Sequence, residues 1–118
     1  MCCDGRKVIC VWKHNYAGIT GKAAQLVHDC IYEHEAVHLP ETINCTIGQR
    51  CTTELKRGGV IWWDTYGSEC RAYKREVRCL QRARNKCGDD TFCRSNIRIF
   101  LEQAADQRDA YCKWVFFS

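Results

Sequence analysis

The sequence predicts a mainly α-helical, compact domain that is tied by disulfides and carries at most a small β element. Two observations predict this class. Apolar residues recur at three- and four-residue steps in three long segments, which is the pattern of amphipathic helices. Eleven cysteines occur within 118 residues, a density typical of disulfide scaffolds. A chain of this length forms one domain by default, so residues 1–118 are interpreted as a single unit.

The cysteines are interpreted as disulfide partners rather than metal ligands. No CxxC pair occurs in the chain, and structural zinc sites built from cysteine usually contain such pairs. The odd count leaves at least one thiol unpaired or bonded to another chain, and the adjacent Cys2 and Cys3 are the first candidates. Connectivity does not follow from the sequence. Disulfides indicate an oxidising compartment, so a secreted or periplasmic location is expected.

The N-terminal third contains a short strand and the first helix. Lys7–Lys13 alternates enough to predict a strand, with a buried irregular segment as an equal alternative. A glycine-containing loop comes next, and Thr20 is a candidate cap for a helix over Lys22–Leu39. Pro40 is expected to end this helix, because proline lacks an N–H donor and disfavours helix in the residue before it. The shared face of the helix is formed by Leu26, Val27, Cys30, Ile31, His34, Val37 and His38.

The middle of the chain is predicted to be a loop followed by a second helix. Residues 41–59 show no strong period, and Val60–Trp63 is a short apolar run that forms a strand or a core anchor. Ser68 is a candidate cap for a helix from Glu69 to about Lys86, and Gly88 fits its end. One face of this helix is formed by Ala72, Tyr73, Glu76, Cys79, Leu80 and Ala83.

A third helix is predicted directly after the second. Asp89 or Asp90 is its candidate cap, and it runs to about Cys112. Its apolar stripe is formed by Phe92, Ile97, Phe100, Leu101, Ala104 and Ala105.

Charge and hydropathy limit the classes of partner that are expected for this chain. The net charge of +4 is mild, its basic residues are interleaved with acidic ones, and no nucleic-acid motif occurs, so no nucleic-acid partner is expected. No apolar run reaches the 18 residues that a transmembrane helix needs, so no membrane span is expected. No secretory signal is visible, which indicates export as part of a larger protein or removal of a signal.

Residues 34–38 read HEAVH and carry the most informative motif of the chain. Two histidines four residues apart on a helix project from one face, so His34 and His38 can grip one metal ion from the same side. Glu35 can reach a water on that ion. Zinc is the expected cofactor, because it lowers the pKa of its bound water to about 7 and a nearby carboxylate can take the proton.

A catalytic zinc of this kind needs a third protein ligand from elsewhere in the chain. The residues alone leave this choice open. Candidates are His14, His28, Glu41, Glu54, Asp64, Glu69 and Glu76. A hydrogen-bond donor for the developing oxyanion is also required, and its candidates are His28, Tyr66, Arg71 and Tyr73.

The HEAVH motif and a segment of the second helix together resemble a known family. HEAVH with Glu-x-x-Ala downstream, at Glu69–Ala72, is similar to the glutamate-type zincin metallopeptidases. This resemblance implies a minimal zincin-like helical core in which His34, His38 and Glu69 hold zinc and Glu35 is the base. It leaves Glu76 as a residue that orients a ligand, or as an alternative third ligand. Tyr73 is the preferred catalytic donor.

A narrower resemblance covers about residues 26–83. The spacing of Cys30 to HEAVH, with E-x-x-A-Y-x-x-E-x-x-C-L from Glu69 to Leu80, is similar to small cysteine-rich metallopeptidase toxin domains. These domains occur in bacterial polymorphic toxins and type VI secretion effectors. The resemblance implies a protein or peptide substrate and a cognate immunity protein in the producing cell.

Two alternative functions remain. The first is a disulfide-rich binding module in which HEAVH is not catalytic and exposed tryptophans contact a partner. The second is a lipase similar to the secreted phospholipases A2, because His28 and Asp29 form a His-Asp pair in a helix. The order His-Asp-Cys-x-Tyr differs from that family, and no glycine-rich calcium loop precedes it. Calcium rather than zinc dependence would distinguish this alternative.

Overall fold

Three long helices dominate the part of the chain that the computed structural model describes, which is residues 2–3, 7–9, 11, 18–45, 60–62 and 65–113. The helices are α1 (Gly21–Glu41), α2 (Thr65–Lys86) and α3 (Thr91–Cys112). Four short strands are β1 (Cys2–Cys3), β2 (Lys7–Val8), β3 (Thr42–Cys45) and β4 (Val60–Trp62). The mainly helical prediction is confirmed.

The strands form two separate antiparallel pairs. β1 pairs with β2, and β3 pairs with β4 with a register irregularity between Thr42 and Asn44. Strands were expected near Lys7 and Val60, and both exist, at Lys7–Val8 and Val60–Trp62 of the described residues. β3 lies in the stretch that was predicted to be loop-rich. The rest of that stretch, with Glu54, lies outside the described residues.

The first helix passes beyond the predicted stop at Pro40. α1 begins at Gly21, one residue before the predicted start at Lys22, and continues to Glu41. Pro40 is tolerated because it removes only its own N–H bond to the carbonyl of Ala36, and only one helical residue comes after it. The helix then passes directly into β3. The predicted end at Leu39 was therefore two residues short.

The second helix begins earlier than predicted, and the third begins as predicted. α2 begins at Thr65, so Ser68 lies inside the helix rather than at its cap. Gly88 has a φ of 62°, in the left-handed region that favours glycine, and it lies just beyond the end of α2. Asp90 caps α3, since its side chain accepts a hydrogen bond from the backbone N–H of Cys93 at 3.0 Å. α2 and α3 therefore form a tight hairpin.

The core lies where the three helices meet. It consists of small and aliphatic residues together with cysteines: Ala23, Leu26, Val27, Cys30, Val77, Cys79, Leu80, Ala83, Cys87, Cys93, Ile97 and Ala104. Most of these lie on the predicted apolar faces. Phe92 is a correction, since 78% of its surface is exposed. It precedes Ile97 by five residues, a step that rotates it well off the buried face of α3.

Three disulfides fasten the helices to one another. Cys30–Cys79 joins α1 to α2, Cys70–Cys112 joins α2 to α3, and Cys87–Cys93 closes the turn between α2 and α3. The prediction of a disulfide-tied helical domain is confirmed, and these bridges are typical of proteins in an oxidising, extracellular compartment. Among the described helices, none is long and apolar enough to cross a bilayer.

Candidate metal centre

Helix α1 presents two buried histidines to a common point. His34 and His38 are one helical turn apart, with 5% and 0% of their surfaces exposed. Their Nε2 atoms lie 3.3 Å from each other, and their rings meet edge to face with centroids 5.0 Å apart. The periodicity that buries Val27 and Cys30 thus continues through both imidazoles.

Helix α2 brings a buried carboxylate to the same point. Glu69 is 4% exposed. Its Oε1 lies 2.7 Å from Nε2 of His38, and its Oε2 lies 3.7 Å from Nε2 of His34. The contact with His38 is at hydrogen-bond distance but lacks hydrogen-bond alignment. One donor atom from each of the three side chains lies within 4.8 Å of the other two, so the group can hold a metal ion.

The opposite nitrogen of each imidazole faces an oxygen from α2. Oε1 of Glu76 lies 2.8 Å from Nδ1 of His34, and Oγ of Ser68 lies 2.7 Å from Nδ1 of His38. The Glu76 contact is at hydrogen-bond distance but not in hydrogen-bond alignment. An oxygen beside Nδ1 is typical of histidines that ligate a metal through Nε2.

The contacts at the two Nδ1 atoms bear on whether each Nε2 carries a lone pair for a metal ion. A carboxylate only accepts, so the approach of Glu76 favours a hydrogen on Nδ1 of His34 and a lone pair on its Nε2. When the Ser68 hydroxyl accepts from Nδ1 of His38, that imidazole has the same tautomer. Two lone pairs and a carboxylate then converge on one point. Such a donor set is self-repelling until a cation joins it, so its chemistry fits a metal ion.

The spacing of the donors fits tetrahedral coordination. Ligand atoms about 2.0–2.1 Å from a tetrahedral ion are roughly 3.3 Å from one another. The separation of the two Nε2 atoms is 3.3 Å, which matches this value. Glu69 places its Oε1 2.7 Å from Nε2 of His38 and its Oε2 3.7 Å from Nε2 of His34.

Glu35 and Tyr73 lie beside this group. Glu35 is the residue after His34 in the chain and is half-buried. The ring of Tyr73 packs edge to face on His34 with centroids 4.4 Å apart. Burial raises the pKa of the Tyr73 phenol, and the carboxylates of Glu69 and Glu76 raise it further, with a smaller effect from Glu35. The phenol therefore stays protonated and is able to donate a hydrogen bond at neutral pH.

The other candidates do not join the group. His28 and Asp29 contact each other at 3.5 Å, but 39% and 57% of their side chains are exposed, and Arg71 is exposed as well. Nothing is described for the side chain of Glu41, and His14, Glu54 and Asp64 lie outside the described residues. Within the described ranges, only His34, His38 and Glu69 form a cluster of this kind.

Sequence reasoning missed two contributors. Ser68 was interpreted as a cap, although its position one residue before Glu69 already placed it on the helix that faces HEAVH. Tyr111 stacks on Tyr73 with centroids 5.7 Å apart and an interplanar angle of 10°. Nothing in the sequence pattern links Tyr111 to the second helix, because that contact depends on the pairing of Cys70 with Cys112.

Disulfides hold the helices that carry the site. Cys30 precedes His34 by one helical turn, and its partner Cys79 lies three residues after Glu76. Cys70 is adjacent to Glu69, and its partner Cys112 is adjacent to Tyr111. These two covalent ties limit the relative movement of α1, α2 and α3 where the buried polar side chains meet.

Comparison of the chain with protein families, with curated proteins and with solved structures yields no match.

Proposed function

We propose that this protein is a zinc-dependent hydrolase of peptide or amide bonds. The observation that carries the proposal is the convergence of Nε2 of His34, Nε2 of His38 and the Glu69 carboxylate, all buried and within 4.8 Å of one another. Two histidines and one glutamate, with a fourth position left for water, are the ligand set of catalytic zinc in several peptidases.

The donor set favours zinc over calcium and magnesium. Calcium and magnesium prefer coordination by oxygen atoms, and two imidazoles are poor ligands for them. Imidazole combined with a carboxylate suits zinc, and the outer contacts from Glu76 and Ser68 are those that strengthen imidazole ligands.

The chain's own residues supply the remaining chemistry. When bound, zinc lowers the pKa of a coordinated water to about 7 and polarises the substrate carbonyl. The Glu35 carboxylate, next to His34, accepts the proton as water attacks and later passes it to the leaving amine. Tyr73, held protonated by burial and by the nearby carboxylates, donates a hydrogen bond to the oxygen on which negative charge develops.

The proposal extends to the biological setting of the protein. The three disulfides suit a domain that acts outside a reducing cytoplasm. Together with the resemblance of residues 26–83 to cysteine-rich toxin peptidases, they favour a secreted bacterial effector. Such an effector requires an immunity protein in the cell that produces it. A protein, a peptidoglycan stem peptide or another amide is a suitable substrate.

A substitution of Glu35 tests the mechanism. Glu35→Gln should retain zinc and reduce hydrolysis of a fluorogenic peptide library by about 10²- to 10⁴-fold, the usual contribution of general acid–base catalysis. Glu33→Gln is the matched control, because Glu33 lies on the same helix but contacts Arg75 at 3.1 Å on the outer surface. Full activity of Glu35→Gln would refute the assigned base. A zinc-free purified protein that binds none after reconstitution would favour the binding module instead.

A further inference from the structure

Three tyrosine rings form a row that runs from a candidate metal ligand to the protein surface. Tyr73 packs edge to face on His34 at 4.4 Å, Tyr111 stacks on Tyr73 at 5.7 Å, and Tyr66 leans on Tyr111 at 5.9 Å. The interplanar angle is 78° between His34 and Tyr73 and 10° between Tyr73 and Tyr111. Between Tyr111 and Tyr66 it is 49°. We call Tyr66, Tyr73 and Tyr111 the tyrosine row.

Exposure increases along the tyrosine row. Tyr73 and Tyr111 are half-buried, whereas 55% of the surface of Tyr66 is open to solvent. Packing alone accounts for Tyr73, which lies against the core. Tyr66 packs on Tyr111 at one side and leaves the rest of its surface open to a ligand.

The tyrosine row is held in place covalently. Tyr66 and Tyr73 are seven residues apart on α2, which is two turns on one face. Tyr111 belongs to α3, and its neighbour Cys112 is bonded to Cys70 of α2. The disulfide therefore keeps the ring from α3 between the two rings from α2. Aromatic surface that is fixed in advance binds a planar group with little loss of conformational entropy.

Charge near the row limits what it can bind. The carboxylates of Glu69 and Glu76 lie around His34 and Tyr73, so an acidic group is disfavoured there. These carboxylates and the ring faces attract a cationic side chain, but such a side chain would lose hydration at the half-buried Tyr73 and Tyr111. A neutral aromatic ring meets neither penalty and can extend the existing stack.

We propose that the tyrosine row is the substrate subsite that binds an aromatic side chain next to the scissile bond. This inference rests on the proposed function, since it treats the His34–His38–Glu69 group as the reaction centre. The substrate class is then a peptide with phenylalanine, tyrosine or tryptophan beside the cleaved amide.

Hydroxamates test the subsite without a known substrate, because they bind catalytic zinc directly. The probes are N-acetyl-phenylalanine, N-acetyl-alanine and N-acetyl-arginine hydroxamate, titrated into the zinc-loaded protein by calorimetry. The phenylalanine probe should bind tightest. The ratio of its affinity to that of the alanine probe should decrease by about two- to tenfold in Tyr66→Ala and in Tyr111→Ala. This decrease corresponds to the loss of one aromatic pair. Tyr111→Phe should keep the ratio, because it retains the ring.

Tyr32→Ala is the matched control, since Tyr32 is an exposed tyrosine on α1 outside the row. It should leave the phenylalanine-to-alanine ratio unchanged. Equal affinity of the phenylalanine and alanine probes, or tightest binding of the arginine probe, would overturn the subsite while leaving the zinc site intact. Failure of every probe to bind zinc-loaded protein would instead contradict the proposed function, and the subsite with it. Tyr66→Ala is decisive if Tyr111→Ala does not fold, because Tyr66 lies at the surface.

Discussion

Glu76 lies opposite His34 across the interface of α1 and α2, with its Oε1 2.8 Å from Nδ1 of the imidazole. Both side chains are largely buried, with 14% and 6% of their surfaces exposed. The carboxylate sets the orientation of the ring, so that Nε2 faces His38 and Glu69. Ser68 and Tyr73 of α2 also contact the histidines: Ser68 contacts His38, and Tyr73 contacts His34.

Loss of Glu76 should weaken metal binding without removing a ligand. We expect Glu76→Ala to lower zinc affinity by about 10- to 100-fold at an unchanged stoichiometry, which is typical of residues that orient a ligand. Competition with a chromophoric chelator measures this affinity. Glu102→Ala is the control, because Glu102 is an exposed carboxylate on α3 that pairs with Arg98. Wild-type affinity in Glu76→Ala would show that the contact has no role in metal binding.

Loss of Ser68 should also weaken metal binding, through its contact with His38. Its Oγ lies 2.7 Å from Nδ1 of His38, and both residues are fully buried. We expect Ser68→Ala to weaken zinc binding by about tenfold or more, because Nδ1 of His38 loses its partner in a buried site. Ser95→Ala, on the exposed face of α3, serves as the comparison. If Ser68→Ala matches Ser95→Ala in the chelator competition, the serine does not support the imidazole.

The sequence was sufficient for the parts of the site that obey helical periodicity. The three- and four-residue spacing places His34 and His38 on the buried face of α1, as predicted. Glu69 was expected from the family resemblance, and the sequence left Glu76 open between a supporting role and a solvated position. Ser68 was assigned a capping role because serine is common at helix starts, yet α2 begins three residues earlier, at Thr65. A helix boundary is a local choice that periodicity does not determine.

The features that could not be predicted depend on contacts between distant segments. The pairing of Cys70 with Cys112 brings Tyr111 onto Tyr73, and eleven cysteines allow many pairings. Likewise, β3 at Thr42–Cys45 forms because Val60–Trp62 pairs with it, and its own sequence gives little strand signal. The exposed position of Phe92, by contrast, follows from its five-residue step to Ile97, which is out of phase with the buried face of α3.

Tyr73 should affect turnover and not metal binding. Tyr73→Phe keeps the ring that packs on His34 at 4.4 Å and removes only the hydroxyl. We expect unchanged zinc affinity and a kcat reduced by about 10²- to 10³-fold, the usual effect of losing one donor to the oxyanion. Steady-state kinetics on the best peptide of the library measures the change. An undiminished kcat would remove Tyr73 from the mechanism.

Cys30–Cys79 and Cys87–Cys93 close loops of different length and should therefore differ in how much they stabilise the fold. Cys30–Cys79 spans 49 residues, and Cys87–Cys93 spans six. Loop-closure entropy predicts losses of roughly 4 and 2 kcal/mol in the free energy of unfolding when each pair is replaced by alanines. Urea denaturation of the metal-free variants measures both losses. A larger loss from the Cys87–Cys93 pair would contradict loop-closure entropy as the origin of the difference.

The metal content of the purified protein tests the central claim most directly. Elemental analysis with native mass spectrometry should find one zinc ion per wild-type chain after reconstitution. His34→Ala, His38→Ala and Glu69→Ala should each lose that ion or bind it far more weakly, while far-ultraviolet circular dichroism stays helical. A wild-type protein that takes up no zinc, or folded variants that all keep it as tightly as wild type, would contradict the proposed metal centre.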